Sequence, residues 1–95
     1  MQIGSYNTPK AGNVFVQYSV TVKDDTVDTL YVNPLYFGLQ GSNGVIHEPD
    51  TAMYSSEIHG FESAKLVPNG AQSGIVVFQI PQGVKPVAVV FLIIV

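Results

Sequence analysis

The clearest period in the chain runs over residues 13–23. Val14, Val16, Tyr18, Val20 and Val22 fall on one parity; Gln17, Ser19, Thr21 and Lys23 fall on the other, with Phe15 the exception. A repeat at every second residue is the geometry of a strand with one face on a core and one toward water. Asp24-Asp25-Thr26 then reads as a polar turn. A second strand starts near Thr29, where Leu30 and Val32 share a parity that Leu35, Phe37 and Leu39 do not. The switch falls at Asn33-Pro34, and a β-bulge there would re-aim the alternation by one residue. Gly41-Ser42-Asn43-Gly44 predicts a hairpin turn, residues 45–48 the returning strand, and Pro49 its stop.

Residues 50–62 hold no clean period and read as an irregular crossover with one helical turn near residues 51–55. Lys65-Leu66-Val67 predicts a short strand. Pro68-Asn69-Gly70 predicts a turn in which Pro sets φ and Gly takes the left-handed conformation. Residues 73–80 form the next strand. Val76, Phe78 and Ile80 share one face, while Ile75 and Val77 keep the other from being fully wet. After a turn at Pro81-Gln82-Gly83, residues 87–95 are apolar on both parities. Such a run is a central strand buried on both faces, or an edge that pairs with something else.

Short runs rich in Val, Ile, Tyr and Phe between clusters of Gly and Pro predict an all-β fold, an antiparallel β-sandwich of about seven strands or fewer. There is no internal repeat and no low-complexity linker, so residues 1–95 read as a single domain. The predicted core is Val14, Val16, Tyr18, Val20, Val22, Leu30, Val32, Leu35, Phe37, Leu39, Val76, Phe78, Ile80, Val89 and Phe91.

Composition removes several function classes. Charged residues are 12% of the chain and hydrophobic ones 46%, the reverse of a disordered sequence. A net charge of −3 with 4 Lys+Arg leaves no basic surface for phosphates, so nucleic acid is not an expected partner. The absence of cysteine removes disulfide scaffolds, thiol nucleophiles and Cys-based metal centres. The longest apolar stretch, residues 87–95, is about half the roughly 18–20 residues that span a bilayer as a helix. The first residues carry no basic start followed by an apolar stretch, which fits a cytoplasmic protein or an excised mature domain.

The metal-capable side chains gather in one region: His47, Glu48, Asp50 and His59, with Glu62 beyond them. Zinc, copper or calcium would need three or more such ligands to converge. Their spacing is loose and unlike H-E-x-x-H, so a polar loop end with two solvated histidines outweighs a metal site. Asp24, Asp25 and Asp28 share a turn that calcium could use, but without the full loop spacing a hydrated turn is the stronger reading. Ser73 lies outside any G-x-S-x-G elbow, and Glu57 with Glu62 is a carboxylate pair without a cleft to serve. No enzymatic activity and no cofactor are expected. Tyr18, Tyr31, Tyr36, Tyr54 and Phe61 are the aromatic candidates for a glycan or protein contact, weighed against ordinary core tyrosines with hydroxyls at the rim.

The order of these pieces carries a resemblance. Val20-Thr21-Val22-Lys23 leads into an acidic turn, Asn33-Pro34 opens the next strand, and Gly41 to Gly44 follows. His47-Glu48-Pro49-Asp50, Leu66-Val67-Pro68-Asn69-Gly70, Gly74-Ile75-Val76-Val77-Phe78-Gln79-Ile80-Pro81 and Lys85-Pro86 complete the series. In this order they resemble a family of immunoglobulin-like extracellular domains of unknown function in bacteria and archaea, related to the secreted immunoprotective extracellular antigen. The resemblance implies an immunoglobulin-like sandwich displayed outside the cell, often tethered by a lipoprotein anchor or an N-terminal helix, with no assigned activity. Members usually carry one more strand before the position of Gly4 and a less apolar final strand. This chain therefore either lacks a leading strand or leaves the edge it would cover open, and reads as a mature domain without its signal segment; residues 87–95 are the self-association candidate, weighed against an ordinary core strand.

Overall fold

The computed structural model describes residues 9–51 and 58–91 of the protein. Among them the chain forms seven strands and one 3-10 turn, and no α-helix. The alternating stretch is β1 (Asn13–Lys23), followed by β2 (Leu30–Val32), a 3-10 turn (Pro34–Tyr36), β3 (Phe37–Gly41) and β4 (Ile46–His47). Then come β5 (Ala64–Leu66), β6 (Ala71–Pro81) and β7 (Pro86–Phe91). All strand pairs are antiparallel: β1 with β6, β2 with β5, and β3 between β4 and β7. The all-β antiparallel sandwich read from the alternation is the observed architecture.

The long ribbon of β1 and β6 runs in unbroken register from Asn13 opposite Pro81 to Lys23 opposite Ala71. One step beyond its ends, Asp24 N–H donates to Gly70 O at 2.9 Å and Gln82 N–H to Gly12 O at 2.8 Å. Opposed residues in an antiparallel ladder alternate between bonded and non-bonded pairs. Counting inward from both ends, the even-numbered residues of β1 turn their backbone groups to β6 and the odd-numbered ones turn away. The same count makes Ile75 and Val77 of β6 face outward, and both are bonded there. Ile75 N–H donates to His59 O at 2.8 Å, Phe61 N–H to Ile75 O at 2.9 Å, and Asp50 N–H to Val77 O at 2.7 Å. The crossover thus covers the outer edge of β6.

Phe37 and Leu39 of β3 join Val76, Phe78 and Ile80 of β6 in one buried cluster, which ties the two layers together. Phe61 caps the cluster, 1% exposed and edge-on to Phe37 with ring centroids 5.1 Å apart. It reaches this place because Gly74 has no side chain: a Cβ there would stand 2.6 Å from Phe61 N. On β1, Val14, Val16, Tyr18, Val20 and Val22 pack against the cluster, half-buried, while Gln17, Ser19, Thr21 and Lys23 are exposed.

Several expectations change. Residues 30–39 are two strands in different sheets, not one bulged strand, because the 3-10 turn separates them. Asn33 Oδ1 accepts from Leu35 N–H at 2.9 Å, and Pro34, with its φ already set, starts the turn. Leu35 therefore points to solvent, 62% exposed, and is not core. In the turn after β5 it is Asn69 that takes the left-handed conformation, φ 70°, with Gly70 N–H closing onto Val67 O at 2.8 Å. Asn at that position after Pro is the type II arrangement. The Gly41–Gly44 hairpin forms as read, with Gly41 N–H bonded to Val45 O at 2.9 Å, but its returning strand is only Ile46–His47. Of the final apolar run, β7 is an edge strand with Val87 59% exposed, while Val89 and Phe91 pack against the core. The helical turn expected at residues 51–55 lies, apart from Thr51, outside the described residues, as do residues 92–95.

Candidate functional site

Among the described residues two of the strands with a neighbour on one side only, β1 and β7, border the same groove. β1 has only β6 as a neighbour and β7 has only β3, among the described residues. In β3, Gly41 bonds to Val45 on the β4 side and Ser42 N–H donates to Lys85 O at 2.8 Å on the other. The alternation then directs Gly38 and Gln40 to β7, and leaves the backbone groups of Val89 and Phe91 facing outward. A groove of about 460 Å³ lies between the layers here, lined by Val20 and Val22 of β1, Phe37 of β3, and Val89, Val90 and Phe91 of β7. Thr21 and Lys23 also line it. Among the described residues this side of the sandwich combines an apolar trough with backbone donors and acceptors that no strand pairs, from both layers, the two ingredients that strand addition uses.

The sequence-derived metal residues do not come together. His47 sits opposite Leu39 and is half-buried. Its Nε2 is buried without a hydrogen-bond partner, close under Gly41, where a Cβ would stand 3.2 Å from it. Glu48 is exposed. Asp50 is tied to β6 by its backbone, and its Oδ2 accepts from Gln79 Nε2 at 2.9 Å. His59 is exposed, and its carbonyl is taken by Ile75. Among the described residues no group of three or more His, Cys, Asp or Glu side chains is placed to hold a metal ion.

In the acidic turn, Asp24 is fully buried while Asp25 and Asp28 are exposed. Asp24 Oδ1 accepts from Thr26 N–H at 3.0 Å and from Thr26 Oγ1 at 2.6 Å. This is the local side-chain-to-backbone bonding by which Asp initiates turns. Its Oδ2 is buried and has no partner. Ser73 is exposed and shares a 2.8 Å hydrogen bond with Thr21 across the ribbon. Glu62 is exposed, with its carbonyl bonded by Gln72 Nε2 at 3.1 Å. Glu57 and Tyr54 lie outside the described residues.

The aromatic side chains are dispersed. Tyr18 packs edge-on against Phe78 with centroids 6.3 Å apart, Tyr36 against Phe91 at 6.0 Å, and Phe61 is core. Tyr31 is 61% exposed, with Lys65 Nζ 5.3 Å from its ring centroid. Among the described residues they form no common stacking face. The feature missed by reading side-chain chemistry is the open edge of β1. Its signal was present: an eleven-residue alternating strand whose outward positions from Gln17 onward carry Gln, Ser and Thr and a single Lys.

Comparison with curated proteins found no match, and comparison with solved structures found none. A family model does match. Residues 1–93 fit the domain of unknown function DUF4352, so this chain belongs to the DUF4352 family.

Proposed function

We propose that this domain is a non-enzymatic interaction module, displayed outside the cell, that engages its partner by accepting an extended strand on its open side. The observation that carries this reading is the coincidence, among the described residues, of two strand edges without a neighbour and one apolar groove. Strand addition draws affinity from main-chain hydrogen bonds and selectivity from the pocket beneath, and this side supplies both. An exposed, long and weakly charged edge is otherwise a liability that soluble proteins block with lysines, prolines or bulges. Extracellular display is supported by the series of turns and strands, which is similar to immunoglobulin-like domains related to the secreted immunoprotective antigen. Self-association through residues 87–95 belongs to the same reading, because β7 forms one wall of the groove.

Two experiments test it. Protease added to intact host cells should degrade the protein if it is displayed, and complete protection inside the cytoplasm would overturn the localisation. Sedimentation velocity should show the wild-type chain forming a larger species, and Val87→Lys, exposed on β7, separates a contact through residues 87–95, which it weakens, from one through β1 alone, which it leaves unchanged. A single-chain mass at every concentration would remove self-association.

A further inference from the structure

We infer that the occupant of the open side is a second copy of this chain, joined antiparallel through β1 about a two-fold axis at Val20. This rests on the strand-accepting reading above. The register follows from which part of the edge is usable. Asn13 N–H is already bonded to Lys10 O at 2.9 Å, and Phe15 is 5% exposed. The exposed residues whose backbone faces outward are therefore Gln17, Ser19, Thr21 and Lys23. The midpoint of that stretch is Val20. Pairing about it sets Gln17 opposite the partner's Lys23 and Ser19 opposite the partner's Thr21, each twice. Outward-facing groups then meet outward-facing groups, and such pairs exchange both of their bonds, about eight in all.

The side chains agree with this register. On the polar face, hydroxyls meet hydroxyls and the Gln17 amide meets the Lys23 ammonium, so no like charges oppose one another. On the groove face, Val20 meets the partner's Val20 and Tyr18 meets the partner's Val22, all half-buried in one chain. The charges beyond the strand are also complementary. β1 begins just after Lys10 and ends in the turn with exposed Asp25 and Asp28. Antiparallel pairing points the basic start of one β1 toward the acidic-turn end of the other, at both ends. An isologous contact of this kind uses one patch twice and closes at two copies.

Because the chain contains no cysteine, single cysteines report the register directly. Opposed Cα atoms in a bonded antiparallel pair are about 5.5 Å apart, within the range that a disulfide bridges. Ser19→Cys and Thr21→Cys should each keep the wild-type circular dichroism, since both positions are exposed. Mixed and mildly oxidised, they should yield the crosslinked heterodimer at least tenfold faster than either variant alone. As a second measurement, Thr21→Lys, which crowds positive charge at the axis, should raise the dimer dissociation constant at least tenfold. A dimer that crosslinks faster through Ser19→Cys alone overturns the Val20 axis and leaves strand acceptance standing. A chain that sediments as a single copy throughout, or that dimerises without response to Thr21→Lys, overturns the pairing through β1.

Discussion

Gly74→Ala should be among the most damaging single-methyl changes in this domain. In an ordinary strand, replacing Gly with Ala stabilises by roughly 0.5–1 kcal/mol, because Ala has less freedom to lose. Here the added Cβ would fall on the Cα of Phe61, 2.6 Å from its N and 3.0 Å from its Cβ. Carbon atoms rest at about 3.5–4.0 Å, so the backbone at residues 60–61 has to retreat by about 1 Å. That retreat strains both hydrogen bonds that hold it to β6, Ile75 N–H to His59 O at 2.8 Å and Phe61 N–H to Ile75 O at 2.9 Å. Each contributes about 1 kcal/mol. It also draws the Phe61 ring off Phe37. Full removal of a buried Phe costs about 3–5 kcal/mol, and a partial withdrawal forfeits a third to a half of that.

After the propensity gain is subtracted, the net loss is about 2–3 kcal/mol. A domain of this length has about 5–14 kcal/mol in total. Urea unfolding followed by far-ultraviolet circular dichroism suits a chain without Trp. With m of about 1–3 kcal/mol/M, the midpoint should fall by about 0.7–3 M. Gly12→Ala separates steric conflict from backbone strain, because Gly12 has φ +84° and nothing within 4 Å of its Cβ position. It should cost about 1 kcal/mol. An unchanged or raised midpoint for Gly74→Ala would refute the claim that the crossover seals the edge of β6 through this close approach.

The remaining predictions concern single side chains. Asp24→Ala should cost about 1–3 kcal/mol by thermal or urea unfolding, because the Thr26 donors lose their acceptor. Asp24→Asn, which keeps that acceptor, should lose less than Asp24→Ala in the same assay. Leu35→Ser should lie within about 0.5 kcal/mol of wild type, whereas Leu39→Ala, fully buried on the neighbouring strand, should lose about 2–5 kcal/mol. Gln79 accepts from Lys10 N–H at 2.7 Å and Asn13 Nδ2 at 3.1 Å while donating to Asp50, so Gln79→Glu should cost about 1–3 kcal/mol by setting two carboxylates together.

The alternation of β1 was legible because period 2 is a local property, carried by Val14 to Val22 without help from distant residues. The parity change at Asn33-Pro34 was legible too, but its cause was not: a bulge and a 3-10 turn shift the register alike, and only the separate partners of β2 and β3 tell them apart. Phe15, Phe61, Leu66 and Val77 were not placed in the core. Phe61 lies in a stretch with no period, and its burial depends on Gly74, thirteen residues further on. Val77 stands on the face of β6 opposite Val76, Phe78 and Ile80 and is buried with its carbonyl bonded by Asp50. Such contacts are tertiary, so composition and spacing carry no trace of them. The candidate metal residues failed to converge for the same reason. Proximity in sequence between His47 and His59 does not survive a crossover that commits Asp50 and His59 to the edge of β6.

The low charge of the chain bears on whether an open β1 edge would give a closed pair or a growing fibre. Uncharged edges polymerise when every copy offers a second edge after the first is used. Among the described residues the other edges are taken, short or on the same side as β1. The outer edge of β6 is taken by Asp50, His59 and Phe61. β4 is two residues long and is followed by Glu48 and Pro49, while β2 and β5 are three residues each. What remains is the side shared by β1 and β7, and pairing about Val20 consumes the β1 half of it. The β7 half lies across the same groove, so a second copy seated on β1 crowds the approach to Val89 and Phe91. Association should therefore stop at two copies. A sedimentation distribution that keeps growing with concentration would mean that β7 recruits strands independently of β1.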